Sequence, residues 1–177
     1  TYKLANYGLA KNVQNACKGL VDKSILTSKR IQSSLALTKT VYTISPFLFN
    51  KSDFWSNHVK ILGYHERNKL VNWSPSQELK SFISRHKSIL LITFGSMVNG
   101  EPEKKTQMIV RVLEGLGIAA IINTGNGGLV KPIHHDSNLT FFVPNIPYDW
   151  LLPQIDFMVH HGGSGTTHMA LKYGCPS

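Results

Sequence analysis

Apolar residues are spaced differently in the two halves of the chain. From Tyr2 to about Lys39, Leu4, Val13, Leu20, Ile25, Ile31 and Leu35 recur at intervals that suit helices, with breaks near Gly19 and around Thr27. The segment TVYTISP (40–46) reads as a β-branched strand closed by Pro46. VKILGY (59–64), beyond the aromatic loop FLFNKSDFW, reads as a second short apolar run. In the polar connection HERNKLVNWSPSQELKSFISRHK that follows, Ser76 opens a short helix carrying Leu79, Phe82 and Ile83 on one side. A domain boundary is expected between Asn68 and Ser76, giving residues 1–67 to one domain, 68–88 to a linker and 89–177 to a second domain.

Beyond residue 88 the rhythm changes. SILLITFGS is an unbroken apolar strand, EKKTQMIVRVLEGLG an amphipathic helix with Met108, Val112 and Leu116 at helical spacing, and IAAIINTG another apolar strand. NLTFFVPN then gives a strand, YDWLLPQI a short helix, DFMVHH a strand and GTTHMALKYG a helix starting about Thr166 or Thr167. Strand alternates with helix. Continuous apolar strands of this kind predict an α/β domain, a doubly wound parallel sheet buried on both faces. Ligands in such sheets bind beyond the carboxyl ends of the strands. Three glycine-bearing loops follow strands there, at Gly95–Pro102, Thr124–Val130 and His160–Thr167, and are expected to converge.

Composition narrows the class. At 177 residues and 42% hydrophobic, the chain suits one ordinary globular domain or a domain with part of another. No segment approaches the ~20 apolar residues of a membrane span, and TYKLANYGLAKN lacks the order of a secretory signal. Cys17 and Cys175 are too few and too far apart for a disulfide framework or a thiolate metal site, so a cytoplasmic protein is expected. The net charge of +9 lies entirely in the first half: residues 1–88 carry 14 Lys/Arg against 4 Asp/Glu, and residues 89–177 carry 5 against 6. A basic face of this kind is usually just solvated, and it also suits an anionic partner. Without zinc-finger spacing, heptads or a basic helix interleaved with aromatics, no nucleic-acid partner is expected.

The chemistry concentrates in FMVHHGGSGTTHMALKYG (157–174). After the strand, Gly162, Gly163 and Gly165 let the backbone approach an anion, and the helix start offers unpaired N–H groups at the positive end of its dipole. Ser164, Thr166 and Thr167 add hydroxyls, and His161 an N–H. One such terminus contributes on the order of 1 kcal/mol, so a diphosphate needs several donors together. A plain capped turn is the simplest alternative. His160 and His161, as strand neighbours, point to opposite faces and do not readily chelate one ion; His134 and His135 add no carboxylate, so no metal is expected. His168 reads as packing or surface. Gly95-x-x-x-x-Gly100 is followed by Glu101 and Pro102 and is no Walker A loop. Thr166 breaks the nucleophile elbow, and TGNGGLV lacks the helix start of a dinucleotide fingerprint.

The segments LITFGSMVNGEPEKKTQMIVRVLEGLG, AIINTGNGGL and FFVPNIPYDWLLPQIDFMVHHGGSGTTHMALKYGCPS, in that order, resemble the nucleotide-binding half of the sterol 3-beta-glucosyltransferases and related UDP-sugar-dependent glycosyltransferases of the two-domain GT-B fold. DWLLPQIDFMVHHGGSGTT carries the likeness most strongly. ISPFLF and VKILGY with WSPSQELKSFI resemble the end of that family's acceptor domain and its linker. Residues 40–177 are covered well and 1–39 loosely. Two positions depart: Tyr148 stands where the sterol enzymes usually have His, and Asn126 where many have Trp.

The resemblance implies a UDP-sugar donor, most simply UDP-glucose, and no cofactor besides it. It implies that Gly95 and Ser96 lie near the diphosphate, that the Phe142–Val143 backbone faces the uracil, and that His161 contacts the diphosphate. Gly163, Ser164, Gly165, Thr166 and Thr167 would then offer N–H and hydroxyl groups to phosphate. It further implies an inverting transfer of a hexose to a hydroxyl of a sterol or lipid-like acceptor; the basic first half, by its charge alone, would suit peripheral contact at an anionic membrane. The alternatives are a soluble natural-product acceptor and a non-catalytic UDP-sugar-binding module. The family's acidic-plus-Gln sugar-binding pair comes some ten residues after GCP and its base lies in the first domain, so no catalytic residue is expected within this chain.

Overall fold

The computed structural model describes residues 2–22, 24–65, 72–125 and 128–177, with side chains from residue 7 onward. The chain divides into two compact units, Thr1–Glu66 and Arg67–Ser177. The boundary expected between Asn68 and Ser76 falls partly outside the described residues.

The first unit opens with helix α1 (Tyr2–Ala16) and helix α2 (Ser28–Leu37). The break expected around Thr27 is a cap: the Thr27 side chain accepts the Arg30 N–H at 3.3 Å, satisfying one orphan donor of the first turn. Strands β1 (Thr40–Tyr42) and β2 (Val59–Ile61) then pair in parallel, Thr40 opposite Val59. The loop between them is organised by Trp55, whose ring stacks on Tyr42 at 5.1 Å with Phe49 at 5.8 Å. Its Phe47 and Phe54 are 99% and 88% exposed.

The second unit runs helix α3 (Gln77–Arg85), strand β3 (Leu90–Thr93), helix α4 (Pro102–Leu116), strands β4 (Ala120–Asn123) and β5 (Thr140–Val143), helix α5 (Tyr148–Leu151) leading into a 3-10 turn, strand β6 (Phe157–His160) and helix α6 (Ser164–Lys172). The sheet order is β5-β4-β3-β6, all parallel. Successive side chains point to opposite faces, which divides the core in two. On one face Leu91, Ile121 and Met158 pack with Leu79 and Phe82 of α3, Leu151 and Ala170. On the other, Ile92, Ala120 and Ile122 pack with Val110 and Leu113 of α4 and with Leu129. Each fully buried aliphatic or aromatic side chain contributes roughly 1.5–3 kcal/mol, so the sheet and its flanking helices hold one another.

Three expectations change. The segment read as linker contains α3, capped by Ser76 accepting the Leu79 N–H at 3.2 Å, and α3 is part of the second unit's core. Helix α4 buries Thr106, Val110 and Leu113, while Met108, Val112 and Leu116 are 61%, 54% and 67% exposed. Two apolar stripes share that helix, and the one meeting the sheet is the stripe that includes a threonine. Strand and helix do not alternate throughout, because β4 and β5 are joined without a helix among the described residues.

Candidate functional site

The three glycine loops leave the carboxyl ends of β4, β3 and β6, which are neighbours in the sheet, and the register places Thr93 beside both Asn123 and His160. Gly95, Gly125 and Gly162 have φ of 59°, 56° and 78°, a left-handed conformation costly for any residue with a β-carbon. Each loop can therefore double back over the strand ends.

At the centre is His161. A β-carbon on Gly95 would lie 2.9 Å from its Cε1, and one on Gly163 would lie 2.8 Å from the same atom. The imidazole is thus seated between the first and third loops. A β-carbon on Gly125 would meet the Gly95 carbonyl oxygen, which brings in the second loop. His161 Nδ1 is buried and has no hydrogen-bond partner in the protein. An orphaned buried nitrogen costs about 1–3 kcal/mol, a penalty that a polar ligand with matching chemistry would remove.

Helix α6 begins at Ser164, capped by Gly163, two or three residues before the expected start. The N–H groups of Ser164, Gly165 and Thr166 precede the first intrahelical bond and are available to an anion. Thr167 is a correction: its N–H and hydroxyl both donate to the Gly163 carbonyl, at 2.9 and 3.1 Å, so its donors are committed to the cap. Thr166 keeps its backbone donor, but its side chain is buried. Ser164 and Ser96 are exposed. His160, read as lying on the opposite face, takes the Gly162 N–H on Nδ1 at 3.1 Å and so braces the turn. His168 Nδ1 meets the Ser164 carbonyl oxygen at 2.7 Å within the helix. Among the described residues no group of three or more His, Cys, Asp or Glu side chains is placed to hold a metal ion.

Side chains unnoticed in the sequence hold the loops. Thr93 Oγ1 accepts the Gly95 N–H at 3.2 Å and lies 3.0 Å from the Tyr148 hydroxyl. Asn99 donates from Nδ2 to the Gly128 carbonyl at 2.8 Å, and Asn123 Oδ1 accepts the Gly125 N–H at 3.1 Å. Thr106, fully buried, donates to the Pro102 carbonyl and accepts the Val130 N–H. The available signal was polar residues at strand ends or on an otherwise apolar helix face. Nothing local assigns them partners.

Phe142 and Val143 end the edge strand β5. The Val143 carbonyl accepts the Thr124 N–H at 2.9 Å, and that of Leu139 accepts the Ala120 N–H at 2.8 Å. By the alternation of a strand, Phe142 turns its N–H and C=O outward from the free edge. Of the expected pair, then, Phe142 has the free backbone groups and the Val143 carbonyl is spent on the sheet. Beside them lies a cavity of about 280 Å³ lined by Thr124, Leu129, Val130, Lys131, Phe142, Val143 and Pro144.

The chain is 35% identical over 136 residues to a sterol 3-beta-glucosyltransferase of Arabidopsis thaliana, an alignment covering 77% of this chain and 21% of the plant protein. A sterol 3-beta-glucosyltransferase of Kluyveromyces lactis is 33% identical over 149 residues, covering 77% of this chain and 12% of that protein. Over this stretch the chain is related to the sterol 3-beta-glucosyltransferases. It spans a minor part of those relatives' length, and no protein-family model matches it. Among solved structures, the glycotransferase of kitacinnamycin superposes with a TM-score of 0.61 at 18% identity, covering 99% of this chain and 47% of that one. The fold is that of a GT-B glycosyltransferase segment, and the glycine loops and His161 lie within it.

Proposed function

We propose that this chain supplies the donor-diphosphate cradle of a glycosyltransferase that moves a hexose, most simply glucose, from a UDP-sugar to the hydroxyl of a sterol or lipid-like acceptor. The observation that carries the reading is His161 seated between Gly95 and Gly163 with its Nδ1 unpaired, beside the free N–H groups of α6. In the inverting reaction a base takes the acceptor O–H proton, the oxygen bonds to the anomeric carbon, and the bond from that carbon to the diphosphate oxygen breaks. Negative charge grows on the departing UDP, where the start of α6 and His161 would stabilise it. The Phe142 backbone edge and its neighbouring cavity suit a planar base with alternating donors and acceptors. The base and the sugar-binding pair are assigned to no residue of this chain. Calorimetric titration with UDP tests the reading: wild-type protein binds, and His161→Ala binds more weakly. Equal affinity overturns the assignment of His161.

The acceptor reading favours a cytoplasmic protein working at an anionic membrane surface. Residues 1–66 carry nine Lys/Arg against three Asp/Glu, and the exposed Phe47 and Phe54 add apolar contact near Lys51. No helix among the described residues is long and apolar enough to cross a membrane. Sedimentation with vesicles tests this: binding should rise with anionic lipid and fall with salt, and indifference to both overturns it.

A further inference from the structure

The hydroxyl of Tyr148 lies 3.0 Å from Thr93 Oγ1, and that same oxygen accepts the Gly95 N–H. We propose that Tyr148 is a positioning residue for the diphosphate cradle, acting through Thr93 on Gly95 and so on the seat of His161. The inference rests on the donor reading above. Thr93 is fully buried at the carboxyl end of β3. Its hydroxyl has one proton and two lone pairs. Gly95 takes one lone pair, and Tyr148 either donates to the other or receives the proton. Either way the rotation of the hydroxyl is fixed. Without the phenolic oxygen, a buried hydroxyl with one partner gone can turn away from Gly95, and the loop loses the bond that holds its first peptide.

That peptide has little freedom to shift harmlessly. Gly95 is in the left-handed region, its carbonyl touches Gly125, and the ring of His161 lies against its α-carbon. A rotation there moves the first loop relative to both others. The next residue along α5 holds the far end of the helix that opens at the cradle: Asp149 accepts from Lys172 Nζ at 3.3 Å and from the Tyr173 hydroxyl at 3.0 Å, at the C-terminal end of α6. Two adjacent residues of α5 therefore hold the β3 loop and the α6 helix in one arrangement. Neither contributes an atom to the cradle.

The test uses the full-length protein and compares UDP with uridine by calorimetry. Tyr148→Phe should weaken UDP roughly tenfold and leave uridine unchanged, because only the diphosphate depends on the first loop. Thr93→Val should reproduce that loss, Thr93→Ser should avoid it, and the double variant Tyr148→Phe/Thr93→Val should lose no more than either single one, since the two act in series. An equal loss for UDP and uridine, additive losses, or unchanged UDP affinity in Tyr148→Phe overturns the inference. If wild-type protein binds neither ligand, the donor reading fails and takes this inference with it. Wild-type binding with an unchanged Tyr148→Phe defeats this inference alone.

Discussion

The imidazole of His161 rests on the backbone of Gly95, close enough that a β-carbon at residue 95 would stand 2.9 Å from its Cε1. Gly95→Ala therefore has two effects. It forces an L-residue to hold φ of 59°, which costs about 1–2 kcal/mol, and it pushes the ring off its seat. UDP affinity should fall at least tenfold by calorimetry, with a lower denaturation midpoint. Full affinity in this variant would mean that the position of the ring is immaterial to binding.

His161→Ala should separate binding from stability. The wild-type ring leaves a buried nitrogen without a partner, so its removal relieves about 1–3 kcal/mol of desolvation penalty while giving up packing of similar size. Chemical denaturation should therefore show little change in stability, against a drop of roughly tenfold in UDP affinity. A large loss of stability would assign His161 to the framework.

Thr106→Val keeps the shape of a fully buried side chain but removes the acceptor of the Val130 N–H, a bond of 3.0 Å that ties α4 to the second loop. An orphaned buried N–H costs about 1–3 kcal/mol. Urea denaturation should show a loss of that size, and a loss below about 0.5 kcal/mol would mean that the loop finds another acceptor.

The two apolar stripes of α4 can be told apart by truncation. Leu113 is buried against the sheet, so Leu113→Ala should cost about 2–5 kcal/mol. Leu116, three residues on and mostly exposed, should stay within about 0.5 kcal/mol when changed to Ala. Equal losses in the two variants would show that the exposed stripe is covered in solution.

Burial, and secondarily the negative charge of Asp156, pushes the Cys175 thiol above its ordinary value of 9.0. The folded protein thus holds its proton to a higher pH than the unfolded chain does. The stability this group contributes is complete below about pH 9 and is lost as pH rises from there through the raised value. The same burial should make Cys175 slow towards maleimide at pH 8, with labelling at Cys17 dominating in a mass-spectrometric time course. Equal labelling rates would place Cys175 at the surface.

Much of this was legible in the sequence, for identifiable physical reasons. Runs such as LLIT and AIIN are buried on both faces and read as strands from composition alone, and glycines after them predicted loops at one sheet edge. Helix α4 was harder to orient, because Ile109, Val110 and Leu113 compete with Met108, Val112 and Leu116 for the apolar stripe. The deciding residue, Thr106, is polar and earns its burial by bonding across to Val130. The start of α6 slipped by two or three residues because Ser164 and Gly165 resemble turn residues until Gly163 is seen to cap them. Thr93 and Tyr148 lie 55 residues apart, and only the folded sheet and α5 bring their hydroxyls together.

The contact between Gly125 and the Gly95 carbonyl constrains how the gene can vary. Every single-nucleotide change that alters a glycine codon without ending translation adds a β-carbon. Every such change at codon 125 runs into the Gly95 carbonyl, and every such change at codon 95 runs into the His161 ring. Both positions are thereby closed to stepwise drift.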